Sequence, residues 1–112
     1  MALTKVQLRE RVAKHLRIFA KDVPLDAADA ASIDDSIDDA RAELMEKTLC
    51  WWGEDAIPQS VVFALTLIVS AQACAKVGKM GQGYESGDTD GRSRLAQIKG
   101  SLDAGVGHAD YF

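Results

Sequence analysis

The stretch that most restricts the fold is the apolar run over residues 57–78, IPQSVVFALTLIVSAQACAKVG. Only four of the 17 residues from Val61 to Val77 are polar, so a helix here leaves no wide face for water. Such a helix must be covered by protein around most of its circumference. Pro58 suits a first helical position, and Gly78 suits the left-handed position just past a helix end. The sequence therefore predicts a long central hydrophobic helix between these two residues.

A narrow strip of polar and small residues runs along this predicted helix at helical spacing: Gln59, Thr66, Ser70 and Ala73. A neighbouring helix could approach closely there, so the strip is a candidate seam between subunits. A membrane span is the competing interpretation, since about 20 apolar residues cross a bilayer. The recurring Thr, Ser, Gln and Lys make insertion costly, so we predict that the chain does not enter a membrane.

Composition indicates one globular domain of 112 residues, with 47% hydrophobic and 27% charged residues. Basic residues interrupt any apolar region at the N-terminus, so we expect no secretory signal and a cytosolic site of synthesis. Cys50 and Cys74 lie on different predicted helices, and neither has a histidine at metal-ligand spacing. We therefore expect two buried, reduced thiols, no metal and no cofactor.

Charge is distributed unevenly along the chain. Residues 1–21 contain six basic residues and one acidic residue, whereas residues 22–55 contain two basic and eleven acidic residues. The first segment thus carries +5 and the second −9, while the whole chain carries −4. Two interpretations stay open: the segments are solvated faces of opposite sign, or they pair within or between subunits.

Two further helices are predicted ahead of the apolar run. Thr4 and Gln7 have capping-box spacing, and an apolar face follows toward an end near Ala20, formed by Leu8, Val12, Leu16 and Phe19. Asp26 is the expected N-cap of a second helix that continues to about Cys50. Its apolar seam consists of Ala30, Ile33, Ile37, Ala40 and Leu44.

Two adjacent tryptophans follow the second helix. Trp51 and Trp52 cannot face the same way, so we expect one to be buried and the other partly exposed. Simple closure of the core explains the pair, and a contact with a neighbouring subunit is the alternative, because tryptophan is enriched in interfaces.

The segment after the central helix is predicted to be a glycine-rich loop over residues 78–91. It lacks the glycine spacing of a phosphate-binding loop, and Asp88 and Asp90 match only part of a calcium loop. Asp90 or Ser93 caps a short fourth helix with an apolar stripe at Leu95, Ile98 and Leu102. These parts make an all-α helical domain over residues 1–102, followed by an extended C-terminal tail over residues 103–112. Such a tail is either disordered or an anchor that orders on a partner.

No arrangement in the sequence favours catalysis. His15 and His108 lack a nucleophile or carboxylate at a suggestive spacing, so a catalytic triad would require coincidence. The aspartates of the second helix lie at spacings typical of a solvated helix face. We therefore predict that the protein is not an enzyme.

The order of the parts resembles that of head-to-tail adaptor (connector) proteins of tailed bacteriophages and related gene-transfer particles. The resemblance covers residues 3–102 and rests on four segments, LTKVQLRERVAKHL, SIDDSIDDARAELMEKTLCWW, DAIPQSVVFALTLIVSAQACAKVG and RSRLAQIKG. It implies a structural virion protein at the head–tail interface, assembled in the host cytoplasm as a ring, usually of twelve copies, under the portal vertex. Such a ring extends the DNA channel without sequence-specific DNA binding and presents a platform to tail or nozzle proteins.

The resemblance also implies roles for particular residues. Docking to the portal protein falls on residues 103–112, with His108, Tyr111 and Phe112 as contacts. This sequence differs from larger members of the family by its short C-terminal region and its glycine-rich loop. A ring of identical subunits joins two unlike patches, and we expect the subunit interface to involve Arg9, Arg11, Arg17, Asp34, Asp35, Asp38, Asp39 and Trp52.

Two alternatives accompany this hypothesis. The aspartate cluster could instead face the channel and keep DNA from adhering to its wall. A small helical DNA-binding regulator is the rival function, suggested by the basic first helix, although the net charge of −4 opposes it.

Overall fold

The computed structural model describes residues 2–18 and 25–111, with side chains described as far as residue 102. These residues form four helices, α1 (Lys5–His15), α2 (Ala27–Glu46), α3 (Val62–Ala73) and α4 (Gly87–Tyr111), and two short strands, β1 (Ala2–Leu3) and β2 (Ile57–Pro58). The strands pair antiparallel, with Leu3 opposite Ile57. The predicted all-α bundle of about four helices is confirmed.

Helix α1 begins as its sequence predicts. The Thr4 hydroxyl accepts a hydrogen bond from the Gln7 backbone N–H at 3.3 Å, and the Gln7 side chain accepts one from the Thr4 N–H at 2.9 Å. The helix ends at His15, earlier than predicted, because Arg17 adopts a left-handed φ of 61°. There the N–H groups of Arg17 and Ile18 return to helix carbonyls and stop the helix.

Thr4→Ala is expected to lower the free energy of unfolding by about 1 kcal/mol, because the N-terminal N–H groups of α1 lose their acceptor. Urea denaturation followed by circular dichroism measures this change. Thr4→Ser keeps the hydroxyl and serves as the control, with stability close to that of the wild type. Equal losses in the two variants would contradict a capping role.

Helix α2 also follows the sequence prediction at its start and along its seam. Asp26 accepts hydrogen bonds from the N–H groups of Ala28 and Asp29 at 3.0 and 3.3 Å. The seam is buried except for the half-buried Ala30, its buried members being Ile33, Ile37, Ala40 and Leu44. The helix ends at Glu46 and not near Cys50, because Thr48 takes a φ of 58° and closes the same terminal motif as in α1.

Helix α3 is the centre of the bundle and packs against each of the other three helices. It begins later than predicted, because Pro58 lies in β2 and a 3₁₀ turn, Gln59–Val61, intervenes. Pairing with β1 holds the backbone around Pro58 extended. Proline lacks an N–H for a ladder hydrogen bond, and an edge strand tolerates this because one of its sides has no neighbouring strand. Gly78 has the expected left-handed conformation, with a φ of 77°.

Helix α4 starts earlier and ends later than predicted. A 3₁₀ turn, Tyr84–Ser86, leads into it at Gly87, and the backbone is helical to Tyr111, where we expected an extended tail. Residues 87–111 contain no proline, and an internal glycine costs a helix only about 1 kcal/mol, so glycines alone do not end it. Gly91 is buried where α4 crosses α3, and a Cβ built on it would lie 2.7 Å from the Ala64 carbonyl oxygen.

An ion pair joins α4 to α2. The Arg92 guanidinium lies 3.0 Å from both the Glu43 and the Asp88 carboxylates. Burial opposes the charged form of Arg92, but its hydrogen bonds to Glu43 and Asp88 outweigh burial and raise its pKa above the ordinary value. Asp88 therefore serves as an internal ion-pair partner, and Asp90 likewise contacts Arg94 at 3.1 Å. Among the described residues, no group of three or more His, Cys, Asp or Glu side chains could hold a metal ion.

Candidate protein-interaction site

Two ion pairs between α1 and α2 determine which charges remain on the outside of the subunit. Arg9 contacts Asp34 at 2.8 Å, and Lys5 contacts Asp38 at 2.7 Å, with Glu54 3.4 Å from the same lysine. The structure therefore joins Arg9 to Asp34 within one chain, where the sequence hypothesis joined the two helices between copies. These contacts link α1 to α2 along one side of each helix.

The contact with Asp38 affects the titration of Lys5. The hydrogen bond to Asp38 raises the pKa of Lys5 above its ordinary value of 10.5, against a smaller opposing effect of burial. The folded state then holds the lysine proton more tightly than the unfolded chain does. The pair contributes its stability below pH 10.5 and loses it as the pH rises through the folded-state pKa.

The other basic residues of α1 lie away from α2. Successive helical residues rotate by about 100°, so Arg11 and Lys14 lie on a different side from Arg9. They line two adjoining depressions of about 560 and 350 Å³ between α1 and the start of α3, and Gln59 borders both. We call this feature the basic groove and define it by Arg11, Lys14, Gln59 and Phe63.

Phe63 gives the basic groove an apolar wall. Its side chain is 54% exposed although it lies on the most apolar helix of the chain. The Arg94 guanidinium lies 5.0 Å from the centre of its ring, a distance at which a cation is attracted to an aromatic face. Arg94 therefore places a cation from α4 at the Phe63 ring, and it lines a neighbouring depression together with Ser60 and Gln97.

A negatively charged surface, opposite in sign to the basic groove, lies on α2. Asp35, Asp38 and Asp39 are exposed there, and exposed alanines lie one turn before and after them at Ala31 and Ala42. We call these five residues the acidic ridge. Asp38, although exposed, is paired with Lys5, whereas Asp34 lies outside the ridge and is half-buried against Arg9.

The two tryptophans divide as the sequence predicts. Trp52 is 8% exposed and belongs to the core, while Trp51 is 40% exposed and contacts it edge-on at 4.8 Å between ring centres. Arg41 donates a hydrogen bond to the Trp52 carbonyl at 3.3 Å. Core closure accounts for the position of Trp52, so the indole available at the surface is that of Trp51.

The remaining predicted site residues are dispersed. Arg17 is exposed just beyond the end of α1. His108 and Tyr111 lie in the last turns of α4, and their side chains and the whole of Phe112 are outside the described residues. The structure does not bring these residues to the groove or the ridge within the part that it describes.

The glycine-rich segment is shorter than predicted and is closed by local contacts. Gly81 and Gly83 have φ values of 82° and 90°, and the Gly81 N–H donates a 2.7 Å hydrogen bond to the Glu85 carboxylate. That hydrogen bond lowers the pKa of Glu85. Cys74, beside this segment, is buried, and burial raises the pKa of its thiol, as expected for an unreactive cysteine. Both cysteines are free, as predicted, although Cys50 is only partly buried.

Sequence reasoning missed Phe63, Gln59 and Lys14 as members of one surface. The predicted seam strip was a partial signal, because Gln59 and Thr66 line the groove, whereas Ser70 and Ala73 are buried in the subunit's own core. The i, i+3 spacing of Arg11 and Lys14 was a second signal, since it places both on one side of a helix.

Comparisons with known proteins provide no family assignment. No family model, no curated protein and no solved structure matches this chain. Among the helices of the described residues, none combines the length and the apolar character needed to cross a bilayer.

Proposed function

We propose that this chain is a structural virion protein that forms a ring at the head–tail interface of a tailed bacteriophage or gene-transfer particle. In this role it docks under the portal protein, extends the DNA channel and presents a platform to tail or nozzle proteins. The role of the protein is structural and not enzymatic. DNA passes through the ring without sequence-specific binding. The number of copies, usually twelve, comes from the resemblance in the order of helical segments.

One observation supports this proposal most directly. Besides the pairs Arg9–Asp34 and Lys5–Asp38, the subunit presents a basic groove with Arg11 and Lys14 on α1 and the exposed ridge aspartates Asp35 and Asp39 on α2. Unlike patches on one subunit are what a head-to-tail interface requires, and such an interface closes into a ring when the rotation between copies allows it. The helical bundle also agrees with the fold that the resemblance implies.

The test is electron microscopy of the purified protein, alone and mixed with the portal protein of the same virus. We expect rings with a central channel that stack on the portal. A variant lacking residues 103–112 should keep the ring but bind the portal at least about tenfold more weakly, because the predicted docking residues are removed. Absence of portal binding by the full chain, with or without rings, would contradict the proposal.

A small helical DNA-binding regulator is the competing function, and the basic groove is the observation that favours it. Arg11, Lys14 and Arg94 could contact phosphates, and such contacts weaken steeply as salt increases. The acidic ridge and the net charge of −4 oppose long-range attraction to DNA. Salt-dependent binding of duplex DNA by the isolated protein, without ring formation, would favour the regulator over the adaptor.

A further inference from the structure

The basic groove has the features of a receptor for an anionic protein surface. Its two depressions together are large enough to accept several side chains. The half-exposed Phe63 ring lines one depression together with Arg11 and Lys14 of α1, and the Arg94 guanidinium of α4 lies 5.0 Å from the ring centre. A partner that complements the charge and shape of this surface brings carboxylates together with small or apolar groups that lie against the ring.

The acidic ridge has this combination. Asp35 and Asp39 are four residues apart on α2, so their side chains lie one above the other, about 5–6 Å apart. Arg11 and Lys14, three residues apart on α1, have a similar spacing. Ala31 and Ala42 are exposed at the ends of the ridge, and their small side chains allow another helix to approach closely.

The groove and the ridge of one subunit cannot meet each other. Lys5 and Arg9 hold the side of α1 that faces α2, and the groove lies on the side of α1 that faces α3. Asp38, at the edge of the ridge, contacts Lys5, and Asp35 and Asp39 lie farther around α2, away from its Asp34 side. Complementary surfaces that cannot meet within a subunit can meet between copies in a head-to-tail arrangement.

Nucleic acid fits the groove less well than this ridge does. Glu10 lines the groove beside Arg11, and Asp90 contacts the Arg94 guanidinium that lies over Phe63, so each of these two arginines has a carboxylate close by. Phosphate backbones would meet these carboxylates, and the chain as a whole carries −4. The exposed Phe63 and the alanines of the ridge add an apolar complement that a phosphate backbone lacks.

We infer that the basic groove of one subunit receives the acidic ridge of a second copy, with Arg11 and Lys14 opposite Asp35 and Asp39 and Phe63 against the ridge alanines. This inference deepens the proposed function and rests on it, because it names the surfaces that join neighbouring subunits of the ring. It also replaces the predicted intersubunit role of Arg9 and Asp34, which already contact each other within the chain.

The test reverses each surface separately and then together. The groove variant carries Arg11→Glu and Lys14→Glu, and the ridge variant carries Asp35→Lys and Asp39→Lys. Sedimentation at low salt should show self-association of the wild type and at least about 100-fold weaker association of either variant alone, because like charges then face each other. An equimolar mixture of the two variants should associate again, since each supplies the complement of the other.

Two controls distinguish loss of this contact from loss of folding and from a general effect of net charge. Circular dichroism should show that both variants remain helical, and Lys47→Glu with Lys79→Glu, a matched charge change outside the groove, should associate like the wild type. A monomeric wild type, a variant that associates normally alone, or a mixture that stays dissociated would overturn the inference. Duplex DNA binding that the groove variant loses would overturn it in favour of nucleic acid.

The outcomes also distinguish this inference from the proposed function. Rings that bind the portal and persist in both variants would leave the adaptor function standing and remove the groove–ridge contact. Restored association of mixed variants without any portal binding would establish the contact and contradict the adaptor function.

Discussion

Trp52→Ala is expected to lower the free energy of unfolding by about 3–5 kcal/mol, the range for removing a large buried aromatic side chain. Trp52 is 8% exposed and borders a small apolar space together with Leu8, Ile37 and Leu65. Alanine removes most of the ring surface that these residues cover. The substitution leaves the backbone carbonyl that accepts from Arg41, so the loss measures side-chain packing.

The neighbouring tryptophan provides a matched control for this prediction. Trp51 is 40% exposed, so Trp51→Ala should cost about 1 kcal/mol, most of it from the lost edge contact between the two rings. Urea denaturation followed by circular dichroism measures both changes, and Trp52→Phe covers the case in which Trp52→Ala fails to fold. Fluorescence of Trp51→Ala should be blue-shifted, because the buried indole is then the sole emitter. Equal losses of stability at the two positions would contradict the assigned burial.

Gly91→Ala is expected to destabilise the fold by about 2 kcal/mol, although alanine is the better helix former. A Cβ at this position would lie 2.7 Å from both the Ala64 carbonyl oxygen and Ile68 Cγ1, and 3.2 Å from Leu67 Cβ. Overpacking of a core destabilises a protein by about 3 kcal/mol at the upper end of the usual range. We use the upper end because the Ala64 carbonyl oxygen belongs to the backbone and cannot rotate away from the new Cβ. The gain in helix propensity recovers about 1 kcal/mol.

A glycine-to-alanine substitution elsewhere on α4 should change the stability in the opposite direction. Gly100 is exposed, and a Cβ there would meet nothing within 4 Å. Gly100→Ala should therefore stabilise the protein by about 0.5–1 kcal/mol, since only the conformational term remains. Thermal unfolding of the two variants side by side measures the difference. Stabilisation by Gly91→Ala would mean that α4 does not cross α3 at this point.

The helix starts of α1 and α2 were predictable because they depend on neighbours in sequence. Thr4 with Gln7, and Asp26 with the N–H groups that follow it, make contacts within three residues. The helix ends were less predictable, since Arg17 and Thr48 adopt left-handed backbone that their residue types do not favour. Only the terminal hydrogen bonds and packing of the folded chain select that conformation.

The larger errors in the predicted helix limits concern α3 and α4, and they have a common cause. Pro58 fits a helix start by local rules, but its pairing with the distant Ala2 makes it extended. Gly87 and Gly91 suggest a loop by composition, but they allow α4 to lie close against α3. In both cases a contact between residues far apart in sequence overrides the local preference.

The candidate site was predictable in its charges and not in its geometry. The excess of basic residues before residue 22 and of acidic residues after it indicated two unlike surfaces. Sequence could not show that Arg9 contacts Asp34 inside the subunit while Arg11 and Asp35 remain exposed, because that depends on how α1 and α2 are rotated. The exposure of Phe63 likewise follows from where α1 and α4 lie on α3.

The central position of α3 has a consequence for how the subunit can open. Because α3 contacts α1, α2 and α4, separating any one of these helices exposes part of the same apolar surface. Partial opening is therefore costly at every edge of the bundle, which favours cooperative, all-or-none unfolding. In the ring proposed above, a subunit that unfolds only as a whole would join its neighbours without rearranging, so the angle between its two contact surfaces would determine the curvature of the ring.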